Sequence, residues 1–129
     1  MENPGKMNTT ALAFLGDAVY EVHVRERVLS SGEVHADMLH RFAVRYVKAA
    51  SQAKVYRKIL PELTEDEAAL SKRARNHKMH TMAKNADPVD YKNATAFEAL
   101  LGYIYLKGDT ERLMHIITRA FEIVEGKDE

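Results

Sequence analysis

The chain has 129 residues, and its 19 basic and 19 acidic side chains give a formal net charge of zero. This length suits one ordinary domain with its own core, and the absence of cysteine excludes disulfide bonds and thiolate metal sites. The N-terminus lacks the apolar core of a signal peptide, and no apolar run is long enough to span a membrane. We therefore predict a cytoplasmic protein with no membrane contact. Its single domain comprises residues 8–126, between short tails at 1–7 and 127–129.

The first half of the chain carries three helix signals. Asn8 is a predicted N-cap for a helix that continues from Ala11 to about Leu29, and the first half of this helix is apolar on nearly every side, which predicts deep burial. Residues 34–60 carry apolar side chains at helical spacing, which predicts one or two amphipathic helices that end before Pro61. Thr64 and Glu67 have the spacing of a capping box, so another helix should begin at Glu65.

The second half continues the helical pattern after an interruption. Residues 72–84 lose apolar periodicity, and we predict loop structure there and around Pro88. A second strongly apolar helix is predicted from Ala94 to Gly108, followed by an amphipathic helix over residues 110–124. Because no segment alternates apolar and polar residues, the predicted fold class is all-α.

Each apolar helix contains one acid close to one glycine. Asp17 directly follows Gly16 in the stretch ALAFLGDAVYE, and Gly102 lies one turn after Glu98. A glycine inside a helix costs about 1 kcal/mol relative to alanine, a cost often tolerated where two helices must approach closely. If the helices cross there, two converging carboxylates would repel each other unless a cation lay between them, and oxygen ligands favour Mg²⁺ or Mn²⁺. Spacing alone leaves open that each acid is half exposed or paired with a basic side chain.

These motifs resemble the ribonuclease III family. The stretch FLGDAV is similar to the core of the family signature, and TAFEALLGYIYL is similar to its second acidic helix. The stretches NTTALAFLGDAVYEVHVR, SKRARNHK and YKNATAFEALLGYIYL resemble in order and spacing the bacterial members that consist of the nuclease domain without a double-stranded-RNA-binding domain. The similarity extends from Asn8 to about Val124.

The resemblance implies a compact, multi-helix, homodimeric endonuclease domain. It implies Mg²⁺-dependent cleavage of both strands of double-stranded RNA, giving 5′-phosphate and 3′-hydroxyl ends, with Mn²⁺ able to substitute. The implied substrate is precursor 23S ribosomal RNA at the stem that joins its ends, and a large-subunit ribosomal protein is a further candidate partner. Asp17 and Glu98 match the catalytic, metal-binding acids. Full-length family members carry further acids where this chain has Thr10, Ala13 and Thr95, and the members without the RNA-binding domain resemble this chain in lacking them.

The acid-free basic run KRARNHKMHTMAK supplies the candidate RNA contacts, because duplex RNA is recognised mainly through its shape, phosphates and 2′-hydroxyls. Cations at a solvated helix end would explain one or two of these residues, but not the whole run. The candidates are Lys72, Arg73, Arg75, Asn76, Lys78 and Lys84.

Two other functions remain open from the sequence. A non-catalytic ribonuclease III-like scaffold in ribosome assembly would bind RNA but would not need two buried acids. A helical metal-dependent nucleotide phosphohydrolase would use the acids but would not need the basic run.

Overall fold

The structure is a computed structural model that describes residues 3–77 and 87–127, and within these ranges it contains helices but no strand. The predicted all-α fold class is therefore confirmed. Single 3₁₀ turns lie at Pro4–Lys6 and Leu60–Glu62. The six α-helices of the described ranges are α1 (Thr9–Leu29), α2 (Ala36–Val47), α3 (Ala49–Ile59), α4 (Glu65–Asn76), α5 (Pro88–Lys107) and α6 (Thr110–Val124).

Helix α5 forms the centre of the molecule, and its most extensive packing is against α1. Helices α3 and α4 cover other sides of α5, α2 lies on α1, and α6 closes the bundle over α3 and α5. At the α1–α5 interface the fully buried rings of Tyr20 and Phe97 meet edge to face, with their centroids 5.1 Å apart. Within the described ranges, no helix is both long and apolar enough to cross a membrane.

The predicted capping signals have their expected geometry. The Asn8 side chain accepts hydrogen bonds from the backbone of Thr10 and Ala11, so it satisfies two of the free N–H groups at the start of α1. Thr64 and Glu67 form a complete capping box at the start of α4.

Three predictions of local structure were wrong. Residues 72–76 form the end of α4 instead of a loop, because lysine, arginine and alanine are good helix formers and Leu70 and Ala74 pack one turn apart on its buried face. Helix α5 begins at Pro88, earlier than predicted, because the Asp87 side chain caps the next two free N–H groups and proline suits the first helical position.

The third error concerns the first half of α1, which was predicted to be buried on nearly every side. Phe14 is 83% exposed, because the neighbouring helices cover only part of the circumference of α1. This helix therefore presents an apolar face to solvent.

Candidate active site

Helices α1 and α5 approach each other so closely at two glycines that their backbones are in contact. A Cβ atom added to Gly16 would lie 2.6 Å from the carbonyl carbon of Glu98 and 2.9 Å from the amide nitrogen of Gly102. A Cβ atom added to Gly102 would lie 2.9 Å from the carbonyl carbon of Leu12. Ordinary van der Waals contact begins near 3.4 Å, so neither position has room for a side chain.

The same crossing brings the side chains of Asp17 and Glu98 together. Asp17 is exposed, whereas Glu98 is partly buried beneath it, and the two carboxyl groups interact directly. The pKa of Glu98 is raised to about 8, chiefly by burial and further by the neighbouring Asp17 carboxyl through a shared hydrogen bond and charge repulsion. At neutral pH without a cation, Glu98 is therefore mainly protonated.

A third polar side chain, Gln52, joins this acid pair from α3. Gln52 is only 3% exposed, and its hydrogen bond to Glu98 lowers the pKa of that carboxyl, which partly offsets the effect of burial. Sequence reasoning missed this residue, because a single glutamine at the start of an amphipathic helix carries no recognisable pattern. The available signal was its position on the apolar side of α3, beside Ala53, Val55 and Tyr56, which are fully buried.

The basic candidates that the structure describes lie at the C-terminal end of α4. Lys72 is exposed, and Arg75 is partly buried with its Nε donating to the Asn76 side-chain oxygen over 3.4 Å. Arg73 donates to the backbone oxygens of Gly5 and Met7 over 3.2 and 3.3 Å, so it also anchors the segment before α1. The candidates Lys78 and Lys84 lie outside the described residues.

Among the residues that the structure describes, the acid pair is the convergence of ionisable oxygens at the predicted centre. Within residues 3–77 and 87–127, no group of three or more histidine, aspartate or glutamate side chains could hold a metal ion. The positions of Thr10, Ala13 and Thr95 contribute no carboxylate, and Thr95 instead donates its hydroxyl to the Tyr91 backbone oxygen over 2.9 Å. Any cation at this site would therefore take two carboxylates from the chain.

Comparison with known proteins decides the family. Residues 10–109 match the profile of the Ribonuclease III domain. The chain belongs to the ribonuclease III family. The resemblance predicted from the FLGDAV and TAFEALLGYIYL motifs is therefore confirmed, and the protein is an endoribonuclease that acts on double-stranded RNA.

Several relatives of this ribonuclease III chain match it over nearly its full length. The Mini-ribonuclease 3 of Brevibacillus brevis is 49% identical, and the match covers 97% of this chain and 93% of that protein. The Mini-ribonuclease 3 of Symbiobacterium thermophilum is 46% identical, with 97% and 96% covered. The crystal structure of a Fusobacterium nucleatum protein, whose sequence is 32% identical, superposes with a TM-score of 0.81. The match covers 95% of this chain and 96% of that protein.

Proposed function

We propose that the protein is a Mg²⁺-dependent endoribonuclease that cuts both strands of a duplex and leaves 5′-phosphate and 3′-hydroxyl ends. The observation that supports this most strongly is the meeting of Asp17 and Glu98 at the glycine crossing of α1 and α5. Two carboxylates this close repel each other in the ionised state, and a divalent cation relieves that repulsion. Their oxygen donors suit Mg²⁺ and its common substitute Mn²⁺.

The chain's own residues prepare the site for a cation and a substrate. Asp17 is exposed and can reach a cation held at the RNA surface, whereas Glu98 is partly buried and is kept in place by packing and by Gln52. The rigid backbone contact at Gly16 and Gly102 fixes the separation of the two carboxylates. A divalent ion bound there supplies an activated water and neutralises charge at the scissile phosphate. With two carboxylates from the described residues, water and RNA phosphate would complete the coordination.

The basic end of α4 and the run that follows it are the proposed RNA-binding surface. Lys72 and Arg75 have side chains that can contact phosphates, and Arg73 keeps unused donors beside those that bind Gly5 and Met7. Asn76, Lys78 and Lys84 complete the proposed set. Replacement of Arg75 by alanine should weaken duplex binding and reduce its dependence on salt, because phosphate contacts release counterions.

We also propose that the enzyme is a homodimer built on the exposed face of α1. Phe14, Val22 and Leu29 lie on this face and are 83%, 59% and 57% exposed. At its C-terminal end, α1 shares with α2 a cleft of about 400 Å³ whose lining includes Val28, Leu29 and Leu39. One helix thus carries both a projecting aromatic ring and an apolar cleft, so two copies related by a two-fold axis could each insert Phe14 into the other's cleft. Such a dimer would supply one active centre for each strand.

Sedimentation of a Phe14→Asp variant tests the dimer. The wild type should sediment as a dimer and the variant as a monomer at micromolar concentration. Val89→Asp is the matched control, because Val89 is also exposed but lies at the start of α5. A monomeric wild type, or a dimer that survives Phe14→Asp, would contradict this interface.

Precursor 23S ribosomal RNA is the proposed cellular substrate, cut at the stem that joins its ends. This proposal is supported by the extensive match to bacterial Mini-ribonuclease 3 proteins and by the resemblance of the motifs. Residues 8–126 would act as the catalytic domain in the cytoplasm, and a large-subunit ribosomal protein would present the RNA.

Incubation of the purified protein with a long RNA duplex and with its separated strands tests the nuclease proposal. We expect discrete fragments from the duplex alone, with Mg²⁺ and not with chelator, and a loss of several orders of magnitude in Glu98→Gln and Asp17→Asn. Unchanged cleavage in either variant would refute the assignment of the acids. Binding without fragments would favour the scaffold function, and turnover of free nucleotides would favour the phosphohydrolase.

A further inference from the structure

Gln52 connects the acid pair to the junction between α2 and α3. Its Nε2 donates a hydrogen bond of 2.9 Å to the backbone oxygen of Val47, the last residue of α2. Its side chain also hydrogen bonds the Glu98 carboxyl on α5. At 3% exposure, Gln52 is one of the few buried polar side chains of the described ranges.

The other end of this amide has no partner in the part of the chain that the structure describes. Gln52 Oε1 is buried and accepts no hydrogen bond. The amide cannot turn over to relieve this, because the Val47 oxygen can only accept and therefore requires the Nε2 end. A buried acceptor without a donor is costly, and such groups in native proteins generally have a reason to be retained.

We propose that Gln52 is a positioning residue of the active site, which fixes the Glu98 carboxylate through its amide and offers Oε1 to the water shell of the bound cation. This inference rests on the proposed function, because it takes the acid pair to be the cation site. The simpler alternative is that Gln52 only ties the end of α2 to α3. That role explains the bond to Val47 but neither the contact with Glu98 nor the unpartnered oxygen.

A neutral oxygen suits this site for an electrostatic reason. Asp17 and Glu98 already place two carboxyl groups side by side, and a third carboxylate would make ionisation of both still less favourable in the cation-free protein. An amide oxygen adds an acceptor for coordinated water without adding charge. Residues that orient ligands in this way commonly change metal affinity by 10- to 100-fold when they are replaced.

Binding of Mn²⁺ to the RNA-free protein, measured by electron paramagnetic resonance, separates these roles. We expect Gln52→Met to raise the dissociation constant by about tenfold, because methionine has similar length but no amide. Gln52→Leu, which also lacks the amide, should weaken Mn²⁺ binding to a similar extent. Tyr56→Phe is the matched control: it removes the 2.8 Å hydrogen bond to Ser71 one turn along α3 and should leave Mn²⁺ affinity unchanged.

Each outcome bears on the proposal. Wild-type Mn²⁺ affinity in Gln52→Met, whatever its melting temperature, would overturn it, and so would equal weakening in Tyr56→Phe. If Gln52→Met does not fold, wild-type Mn²⁺ affinity in folded Gln52→Leu would overturn it. Glu98→Gln distinguishes failure of the proposed function, because unchanged Mn²⁺ binding in that variant would refute the acid pair as the cation site.

Discussion

Replacement of Gly16 by alanine tests whether the backbones of α1 and α5 are in contact at this position. The added methyl group would overlap the Glu98 carbonyl oxygen and lie 2.6 Å from the carbonyl carbon, whereas ordinary contact begins near 3.4 Å, so the helices would have to separate by more than about 0.8 Å. Because the obstacle is backbone, no change of rotamer relieves it. Overpacking usually costs about 1–3 kcal/mol. We expect a loss at or above the upper end of that range, since the separation disturbs the largest helix interface of the fold.

Intrinsic helix propensity alone predicts the opposite effect of Gly16→Ala, a gain in stability. Alanine in place of a mid-helix glycine should stabilise the protein by about 1 kcal/mol if the position had space. Urea unfolding followed by circular dichroism measures the free energy of unfolding and decides between the two. The control is Ala18→Gly, an exposed position on the same helix where the loss should be about 1 kcal/mol. A Gly16→Ala variant as stable as the wild type, or more stable, would refute the close crossing.

Glu98 and Glu125 should give the free energy of unfolding opposite dependences on pH. Urea unfolding with chelator present measures both. The folded-state pKa of Glu98 is raised from 4.5 to about 8, so the wild type should lose stability relative to Glu98→Gln as pH rises from about 4.5 to 8, by at most about 5 kcal/mol. The pKa of Glu125 is lowered from 4.5 to about 2, chiefly by its hydrogen bond to Arg27. The wild type should therefore exceed Glu125→Gln by about 2 kcal/mol at pH 7, and this advantage should disappear as pH falls from 4.5 to 2. Parallel curves for variant and wild type in either window would contradict the corresponding assignment.

The sequence predicted those parts of the fold that depend on local chemistry. The ends of α1 and α6 and the capping box at Thr64 follow from side chains within a few residues of each helix end. The start of α5 was misplaced, although Asp87 and Pro88 form a favourable helix start, because the polar residues after them mask the helical pattern. Local capping chemistry was the more reliable signal there.

The active site was only partly accessible from sequence for a different reason. Asp17 and Glu98 were identified because an acid in an apolar helix is conspicuous, and the neighbouring glycines suggested where the helices would meet. Gln52 and Phe14 gave no such contrast, because a glutamine is ordinary in an amphipathic helix and a phenylalanine is ordinary in an apolar one. Their proposed roles depend on which faces of α1 and α3 are covered in three dimensions, and only tertiary packing determines this.

The two glycines give the acid site a geometry that side chains alone could not provide. Contact between the backbones places Glu98 beneath Asp17 and excludes water from one side of the pair, which is why the Glu98 pKa is raised. The protein therefore has a destabilising arrangement within its largest helix interface, and the proposed cation binding with loss of the Glu98 proton would offset that cost. It follows that cation affinity should increase with pH up to about 8 and should fall in any variant that lets α1 and α5 separate. Stability and cation binding are thus coupled through the same crossing, and Gly16→Ala should impair both.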